Sequence, residues 1–336
     1  MADRPLILML TTMHESGMGL LREAGELRVA SSLDPDSLRR EVRDADALIL
    51  RTAGVIDAPL LDCAPRLRVI GRHGVGYEHV DVPAATERGI HVVTTPGANT
   101  IAVAEHAIAF MIAISKHFPQ QTTALLEGRY NDRTKLVGRE LFGRTLGIVG
   151  FGRIGRSVGR KAFQGFGMRV LYNDIVDPPP EAEEAAGWAR RVALDELLRE
   201  CEYVTLHVPL DASTKRMIGA RQLAMMRPDA ILINTCRGPV VDEQAIAEAL
   251  DGGRLWGYAA DVFDVEPPPA DHPLIGRPDV LLTPHSAAQT IESLINMSSW
   301  VAEDVVGVLQ GKPPRNPVND PKEVEAARGR RRLSTK

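Results

Sequence analysis

Three side chains of different chemistry follow three apolar stretches in the second half of the 336-residue sequence. Arg237, Glu266 and His285 each come a few residues after an apolar run that is typical of a buried β-strand. Open parallel sheets bind their ligands at the carboxyl ends of their strands. We therefore expect a guanidinium, a carboxylate and an imidazole to meet at one edge of a sheet.

These three groups fit hydride transfer between a 2-hydroxy acid and a nicotinamide. An arginine holds a substrate carboxylate and polarises the C2 oxygen with its planar set of donors. A histidine takes the hydroxyl proton as hydride leaves, or returns it on reduction. A carboxylate paired with that histidine orients the ring and favours its charged form. We expect Arg237 to position the substrate, His285 to act as acid and base, and Glu266 to be the partner of His285.

A glycine-rich segment offers a place for the cofactor. Gly150, Gly152 and Gly155 form a G-x-G-x-x-G pattern directly after an apolar run and before an amphipathic stretch. The first glycine allows a tight turn, the second lets the backbone approach a pyrophosphate, and the third lets helix and strand pack closely. The pattern predicts a dinucleotide-binding domain. A glycine-rich turn with a purely structural role remains an alternative. A methyltransferase loop is disfavoured by Arg237, Glu266 and His285 further along the chain.

Asp174 indicates which dinucleotide is bound. It lies 19 residues after Gly155, at the end of the next predicted strand. A carboxylate at this place accepts hydrogen bonds from the ribose hydroxyls and repels a 2′-phosphate. Ile175 follows it, rather than an arginine. We therefore expect NAD in preference to NADP.

The elements that carry these residues alternate between short apolar runs and amphipathic segments, which is typical of βα units and a parallel sheet. Strands are predicted at 6–10, 27–30, 47–50, 69–70 and 91–93, and in a second series at 146–150, 168–172, 203–207, 230–234, 257–261 and 280–282. Long helices are predicted at 99–117 and 288–310. The expected fold class is α/β, with two Rossmann- or flavodoxin-like parallel-sheet domains and a ligand cleft between them.

Together the motifs resemble those of the D-isomer-specific 2-hydroxyacid dehydrogenase family, which includes phosphoglycerate dehydrogenases and glyoxylate/hydroxypyruvate reductases. The similarity runs from about residue 48 to 317. Besides the motifs above, it includes Gly71-Arg72-His73-Gly74-Val75-Gly76, Thr95-Pro96-Gly97-Ala98-Asn99, Val103-Ala104-Glu105 and Val240-Val241-Asp242-Glu243. The resemblance implies a substrate-binding domain of residues 1–98 and 288–336, an NAD-binding Rossmann domain of residues 99–287, and a homodimer formed through the NAD domain.

The resemblance also implies roles for individual residues. The implied cofactor contacts are Arg153 and Ile154 at the pyrophosphate, Asp174 at the ribose, and Val208, Thr235, Cys236 and Asp261 at the adenine and nicotinamide ends. The implied substrate contacts are Arg51, Arg72, Val75 and Gly76, besides Arg237. The sequence departs from the family at His79, where asparagine is frequent, and at Ser286-Ala287, where Ile/Leu-Gly is more usual. Both departures leave the identity of the substrate open.

Composition excludes several other classes of protein. Forty basic and 44 acidic residues give a formal charge of −4, which argues against a nucleic-acid partner. Three distant cysteines favour a reducing compartment, and we expect a cytoplasmic protein. We expect no membrane span and no metal site, because neither apolar length nor ligand spacing fits one. The residues from Pro321 onward are expected to form a frayed basic tail, and we expect no appended regulatory domain among the 51 residues after His285.

Other functions share parts of this pattern. Formate dehydrogenases resemble this architecture but place glutamine where Glu266 stands, so the glutamate argues against that activity. Phosphite oxidation uses the same three groups, and an NAD(H)-sensing, corepressor-like protein would keep the cofactor site. Arg51, Arg72 and Lys135 could bind a substrate phosphate or face solvent, so the sequence leaves open whether the substrate is phosphorylated. We expect Cys236 to be a small residue against the cofactor rather than a nucleophile.

Overall fold

Contacts within the chain divide it into two units, each built on a parallel β-sheet. The first unit comprises Met1–Asn99 and Gln289–Lys336, and the second comprises Thr100–Ala288. The structure is a computed structural model that describes residues 4–51, 53–176 and 187–334. The expected fold class, two parallel-sheet α/β domains, is confirmed.

The described residues of the first unit contain a sheet of five parallel strands. These strands are β1 (Leu6–Met9), β2 (Glu26–Val29), β3 (Ala47–Leu50), β4 (Val69–Arg72) and β5 (His91–Val93), in the sheet order β2-β1-β3-β4-β5. The helices between them are α1 (Glu15–Ala24), α2 (Pro35–Glu41), α3 (Ala58–Asp62) and α4 (Val82–Glu87). β1 and β3 are buried throughout, which explains their unbroken apolar sequences, because a parallel sheet is covered on both faces.

Three of these helices begin at the same kind of side-chain cap. Asp34, Asp57 and Asp81 each accept a hydrogen bond from the backbone N–H three residues further on. A proline follows in the first turn of each helix. Proline fits there because its missing N–H would have no partner within the helix.

The second unit contains seven parallel strands within its described residues. They are β6 (Thr145–Val149), β7 (Arg169–Asn173), β8 (Ala189–Arg191), β9 (Tyr203–Leu206), β10 (Ile231–Asn234), β11 (Gly257–Ala260) and β12 (Val280–Leu282), in the order β12-β11-β10-β9-β6-β7-β8. The helices are α5 (Thr100–Ser115), α6 (Phe118–Leu126), α7 (Arg153–Phe166), α8 (Leu194–Glu200), α9 (Ala220–Leu223) and α10 (Glu243–Asp251). The strand order reverses between β6 and β9, so the loops after these two strands border the place where such sheets bind ligands.

The long apolar helix α5 is a core element of the second unit. Nine of its residues are buried, and it packs against α7 and the strands β10 and β11. No single helix of the described residues is long and apolar enough to cross a membrane. The pair α5 and α6, bent by 58° at their junction, passes the same length and composition criteria only when the two are taken together.

The chain then returns to the first unit through α11 (Ile291–Leu309) and α12 (Pro321–Ser334). α11 packs against α1, β4 and β5. The prediction of a frayed tail from Pro321 was wrong, because α12 is anchored by tertiary contacts. Arg328 donates from Nη2 to the Gly89 carbonyl at 2.7 Å, and Glu325 lies 3.1 Å from the ring Nε2 of His91.

Candidate active site

Strand register brings the ends of three strands of the second unit together. β10, β11 and β12 are neighbours, and Asn234, Ala260 and Leu282 are aligned across them as Cα partners. The segments that carry Arg237, Glu266 and His285 follow directly after these positions. The parallel register therefore carries Arg237, Glu266 and His285 to one edge of the sheet.

Asn234 shapes the turn that presents Arg237. Its buried amide donates from Nδ2 to the Arg237 carbonyl at 2.9 Å, and its Oδ1 accepts from the Cys236 amide at 3.1 Å. The next residue is Gly238, where an added Cβ would overlap the backbone of Phe263. Glycine at this position therefore lets the Arg237 turn approach the loop after β11 closely.

Glu266 and His285 are hydrogen-bonded to each other. The His285 Nδ1 lies 2.7 Å from the Glu266 Oε2. The other oxygen, Oε1, accepts from the Phe263 amide at 3.1 Å, so Glu266 caps a turn and holds the histidine at the same time. The side chains of His285 and Glu266 are 43% and 37% exposed. A small molecule at the sheet edge can therefore reach both groups.

Electrostatics keep Glu266 ionised. Burial alone would raise its pKa, but the hydrogen bond and charge of His285, the Phe263 amide and the charge of Arg237 outweigh burial. The net pKa of Glu266 is below its ordinary value. The site at neutral pH therefore contains a carboxylate that accepts from the imidazole, with the guanidinium of Arg237 within electrostatic reach.

A second carboxylate, that of Asp261, holds the loop that carries His285. Its Oδ1 accepts from the Thr283 hydroxyl at 2.5 Å and the Ser286 amide at 2.7 Å, and its Oδ2 accepts from the Ala287 amide at 2.8 Å. The Asp261 carbonyl accepts from the His285 amide at 2.8 Å. His285 has a φ of +51°, a left-handed conformation that costs a non-glycine residue about 1–2 kcal/mol. The bonds to Asp261 offset this cost.

The glycine loop has the space that a pyrophosphate needs. Gly150 has a φ of +91°, and a Cβ there would lie 2.5 Å from the His207 carbonyl oxygen. A Cβ at Gly152 would meet nothing within 4 Å, so the backbone is open on that side. A Cβ at Gly155 would overlap the Gly150 carbonyl, so only glycine lets α7 sit this close to β6. Gly152 has no side chain to cap α7, which leaves first-turn N–H groups available to an anion.

Asp174 is tied to this loop. Its Oδ2 accepts from the Phe151 amide at 2.7 Å, and its Oδ1 accepts from the Val176 amide at 2.9 Å. Each carboxylate oxygen can accept two hydrogen bonds. Asp174 therefore retains acceptor capacity for ribose hydroxyls while it shapes the glycine loop. These residues together fit a dinucleotide cofactor.

The other residues predicted at the cofactor lie in the same unit. Arg153 and Ile154 open α7, Val208 follows β9, and Thr235 and Cys236 follow β10. The Thr235 Oγ1 is buried, and within the described residues it has no hydrogen-bond partner. Burial raises the pKa of Cys236 to about 11. Cys236 is therefore a neutral thiol near pH 7, which suits a small packing residue and not a nucleophile.

The predicted substrate contacts other than Arg237 lie in the first unit. Arg51 follows β3, and its Nη1 donates to the Thr12 carbonyl at 3.2 Å. Arg72 ends β4, and its Nη1 donates to the carbonyl of the next residue. Val75 is exposed and Gly76 is partly exposed in the loop after β4.

The charges of Arg51 and Arg72 both act on His73. Its Nε2 lies 3.0 Å from the Ser298 Oγ on α11, and the ring is buried. Burial, then the charge of Arg51, and to a smaller extent that of Arg72, lower the pKa of His73 to about 4. Two guanidiniums therefore act on one neutral imidazole at the carboxyl edge of the first sheet.

Comparison with known proteins decides the family. A sequence profile described as "D-isomer specific 2-hydroxyacid dehydrogenase, NAD binding domain" matches residues 108–287, which is more than half of the chain. The chain belongs to the D-isomer specific 2-hydroxyacid dehydrogenase family.

Relatives of this dehydrogenase-family chain are similar over nearly all of its length. A D-3-phosphoglycerate dehydrogenase of Methanocaldococcus jannaschii is 40% identical over 94% of the chain, which spans 59% of that relative. A glyoxylate reductase of Korarchaeum cryptofilum is 38% identical over 94% of the chain and 96% of the relative. The crystal structure of an NADPH-dependent glyoxylate/hydroxypyruvate reductase from Sinorhizobium meliloti, in complex with NADP and malonate, superposes with a TM-score of 0.84 at 30% identity, covering 94% of this chain and 97% of that one.

The sequence analysis missed two residues of this family member, His106 and Thr283. The His106 Nε2 on α5 lies 2.9 Å from the Thr283 Oγ1 and 3.8 Å from the Asp261 Oδ1. Val103-Ala104-Glu105 were recognised as similar to the family, but no role was predicted for the next residue, His106. The useful signal was a histidine on the buried face of a core helix, where it needs a polar partner.

The dehydrogenase-family site contains no metal-binding group within the part of the chain that the structure describes. Over residues 4–51, 53–176 and 187–334, no cluster of three or more His, Cys, Asp or Glu side chains could hold an ion.

Proposed function

We propose that this chain is an NAD-dependent D-2-hydroxyacid dehydrogenase that works as a 2-oxo acid reductase. The observation that carries the proposal is the Glu266–His285 hydrogen bond of 2.7 Å, with the charge of Arg237 acting on the same carboxylate. All three groups follow strands of the unit that contains the glycine loop. This is the set of groups that proton-coupled hydride transfer at a carbonyl carbon requires.

Each of the three residues has one role in the reduction. The guanidinium of Arg237 binds the substrate carboxylate and polarises the C2 carbonyl oxygen. The Nε2 of His285 faces away from Glu266 and donates its proton to that oxygen as C2 is reduced. Glu266 fixes the ring through Nδ1 and stabilises its positive charge before the transfer. The nicotinamide, when bound, supplies the hydride.

The cofactor is proposed to be NAD rather than NADP. Gly150, Gly152, Arg153, Ile154 and Gly155 would hold the pyrophosphate, and Asp174 would accept from the ribose hydroxyls. A 2′-phosphate would lie against the negative charge of Asp174, which disfavours NADP. The similar Sinorhizobium meliloti reductase is described as NADPH-dependent, so the preference of this chain is measured directly.

The first unit is proposed to receive the substrate. Its carboxyl sheet edge carries Arg51 and Arg72, whose charges both act on His73. Val75 and Gly76 offer backbone N–H groups in the loop after β4, a suitable partner for a carboxylate. In this proposal, residues 1–98 and 288–336 form the substrate domain, and residues 99–287 form the NAD domain.

The reaction is tested by oxidation of NADH and NADPH against hydroxypyruvate, glyoxylate, pyruvate, phosphohydroxypyruvate and a bulky 2-oxo acid. Turnover of one of them is expected with NADH. Arg237→Met should lower kcat/KM by at least about a hundredfold, because a charge-assisted pair of hydrogen bonds is lost. Arg227→Met is the matched control, since Arg227 pairs with Asp229 at the surface of the same unit. Tight NADH binding with no turnover of any acid would refute the reductase and favour a sensing function.

A homodimer through the NAD domain is also proposed. Six large apolar side chains are exposed between α6 and the loop before β6: Phe118, Leu125, Leu126, Tyr130, Val137 and Phe142. Several large apolar side chains left exposed in one segment of the chain favour an interface there. Leu126→Glu should shift the mass measured by light scattering from a dimer to the 36.6 kDa monomer. Val55→Glu, an exposed apolar position in the first unit, is the control; a monomeric wild type would contradict the proposal.

A further inference from the structure

Three hydrogen-bonded side chains connect a core helix to the loop that carries His285. The His106 Nε2 is 2.9 Å from the Thr283 Oγ1, and Thr283 donates its hydroxyl proton to the Asp261 Oδ1 at 2.5 Å. Asp261 in turn accepts from the amides of Ser286 and Ala287. We call His106, Thr283 and Asp261 the relay. The relay ends on Ser286 and Ala287, the two residues that follow His285.

The direction of these bonds is determined by chemistry. The buried Asp261 carboxylate is an acceptor only, so Thr283 must give it the one proton that its hydroxyl carries. Thr283 can then only accept from His106, which requires a proton on Nε2. Burial lowers the pKa of His106, although the charge of Asp261 acts in the opposite direction. A neutral His106 is therefore held in a single tautomer, with Nε2–H directed at Thr283.

His106 is held in place by its own helix. Its ring packs edge-on against Phe110, one turn further along α5, with the ring centroids 4.4 Å apart. Nine of the 16 residues of α5 are buried, and the helix packs against α7, β10 and β11. The relay thus begins on a rigid element, which is the condition for precise placement of a distant group.

We infer that His106 and Thr283 are positioning residues for His285, acting through the Asp261 carboxylate. Their function is to hold residues 283–287 in the turn that gives His285 its φ of +51° and directs its ring at Glu266. A left-handed non-glycine residue persists only where the surrounding structure over-determines it, and such residues cluster at functional sites. The inference rests on the proposed function, because it assigns the relay to the acid–base step.

The test compares Thr283→Val, which keeps the shape and removes the hydroxyl, with Thr283→Ser, which keeps the hydroxyl. Thr283→Val should lower kcat by about ten- to a hundredfold, because a shift of about 1 Å in a catalytic group costs up to that much. NADH affinity should stay within about threefold, and the primary deuterium isotope effect from labelled NADH should increase as the chemical step becomes limiting. Thr283→Ser should restore kcat. His106→Leu should resemble Thr283→Val, and His106→Gln, which keeps a donor, should lose less.

Ser115→Ala is the matched control. Ser115 is at the other end of α5, and its buried hydroxyl bonds the Tyr203 hydroxyl at 2.7 Å. Its removal should change stability without changing kcat or the isotope effect. A wild-type kcat in Thr283→Val, or a loss of kcat matched by an equal loss of NADH affinity, would overturn the positioning role while leaving the reductase intact.

If the wild type reduces none of the acids, the proposed function fails and the relay is tested by unfolding. The unfolding equilibrium constant is then measured for His106→Leu, Thr283→Val and the double variant. The change in the double variant should differ by about threefold or more from the product of the two single changes. Simple multiplication of the two effects would overturn the relay.

Discussion

Gly155 offers a direct test of the glycine loop, because steric overlap alone forbids a side chain there. A Cβ added at Gly155 would overlap the Gly150 carbonyl and lie 3.0 Å from the Ile148 Cγ2. Heavy atoms in contact lie about 3.5 Å apart, so α7 must move by about 1 Å away from β6 in Gly155→Ala. Overpacking of this kind costs about 1–3 kcal/mol. For a domain of about 190 residues, that cost lowers Tm by roughly 2–12 °C.

Gly165→Ala is the matched control on the same helix. A Cβ there meets nothing within 4 Å, so alanine should stabilise α7 by roughly 0.5–1 kcal/mol through helix propensity alone. Calorimetry should give a lower Tm for Gly155→Ala and an unchanged or higher Tm for Gly165→Ala. Titration with NADH should show weaker binding only in Gly155→Ala, because its shifted helix no longer presents N–H groups to the pyrophosphate. Wild-type Tm and NADH affinity in Gly155→Ala would refute the close packing of α7 and its role as a phosphate cradle.

Three further changes test the remaining assignments. His285→Ala should lower kcat by about 10²–10⁴-fold with NADH affinity nearly unchanged, and wild-type turnover would remove His285 from the mechanism. Asp174→Ala should raise the KM for NADH and lower that for NADPH, so a wild-type ratio of the two would contradict the ribose assignment. The pKa of Glu266 lies below its ordinary value of 4.5, so its ionised form adds stability that is fully present above about pH 4.5 and is lost as pH falls through the folded-state pKa. The Tm difference between wild type and Glu266→Gln should therefore shrink on acidification below pH 4.5; a difference constant with pH would show that the carboxylate charge contributes nothing.

The strands could be predicted from sequence because their signal is local. The apolar runs predicted for β3 and β12 match the observed bounds. β3 is buried throughout, and a parallel strand covered on both faces must be apolar along its length. β8 (Ala189–Arg191) was missed for the complementary reason. It is an edge strand that pairs only with β7 within the described sheet, and two of its three residues are exposed arginines. No apolar pattern marks such a strand.

α12 could not be predicted because its stability is not in its own sequence. It is rich in arginine and has no strong apolar stripe, which resembles a solvated tail. Its order comes from contacts with residues more than two hundred positions earlier, including the Arg328 bond to the Gly89 carbonyl. A Cβ at Gly89 would lie 2.8 Å from the Arg328 Cα, so glycine is needed for the helix to dock. Nothing in the sequence around Gly89 or around Arg328 predicts that the two residues are in contact.

In the candidate site, too, local sequence predicts some features, whereas others depend on residues far apart in the chain. Arg237, Glu266 and His285 could be predicted because each follows a strand, and strand ends of a parallel sheet converge whatever the exact register. The orientation of His285 could not, because it depends on a bond between His106 and Thr283, which are 177 positions apart. Short sequence motifs therefore indicate which groups react. The orientation of the His285 ring depends instead on how α5 packs against the sheet. Substitution of His106 in α5 should accordingly lower the rate of the chemical step before it lowers the affinity for the cofactor.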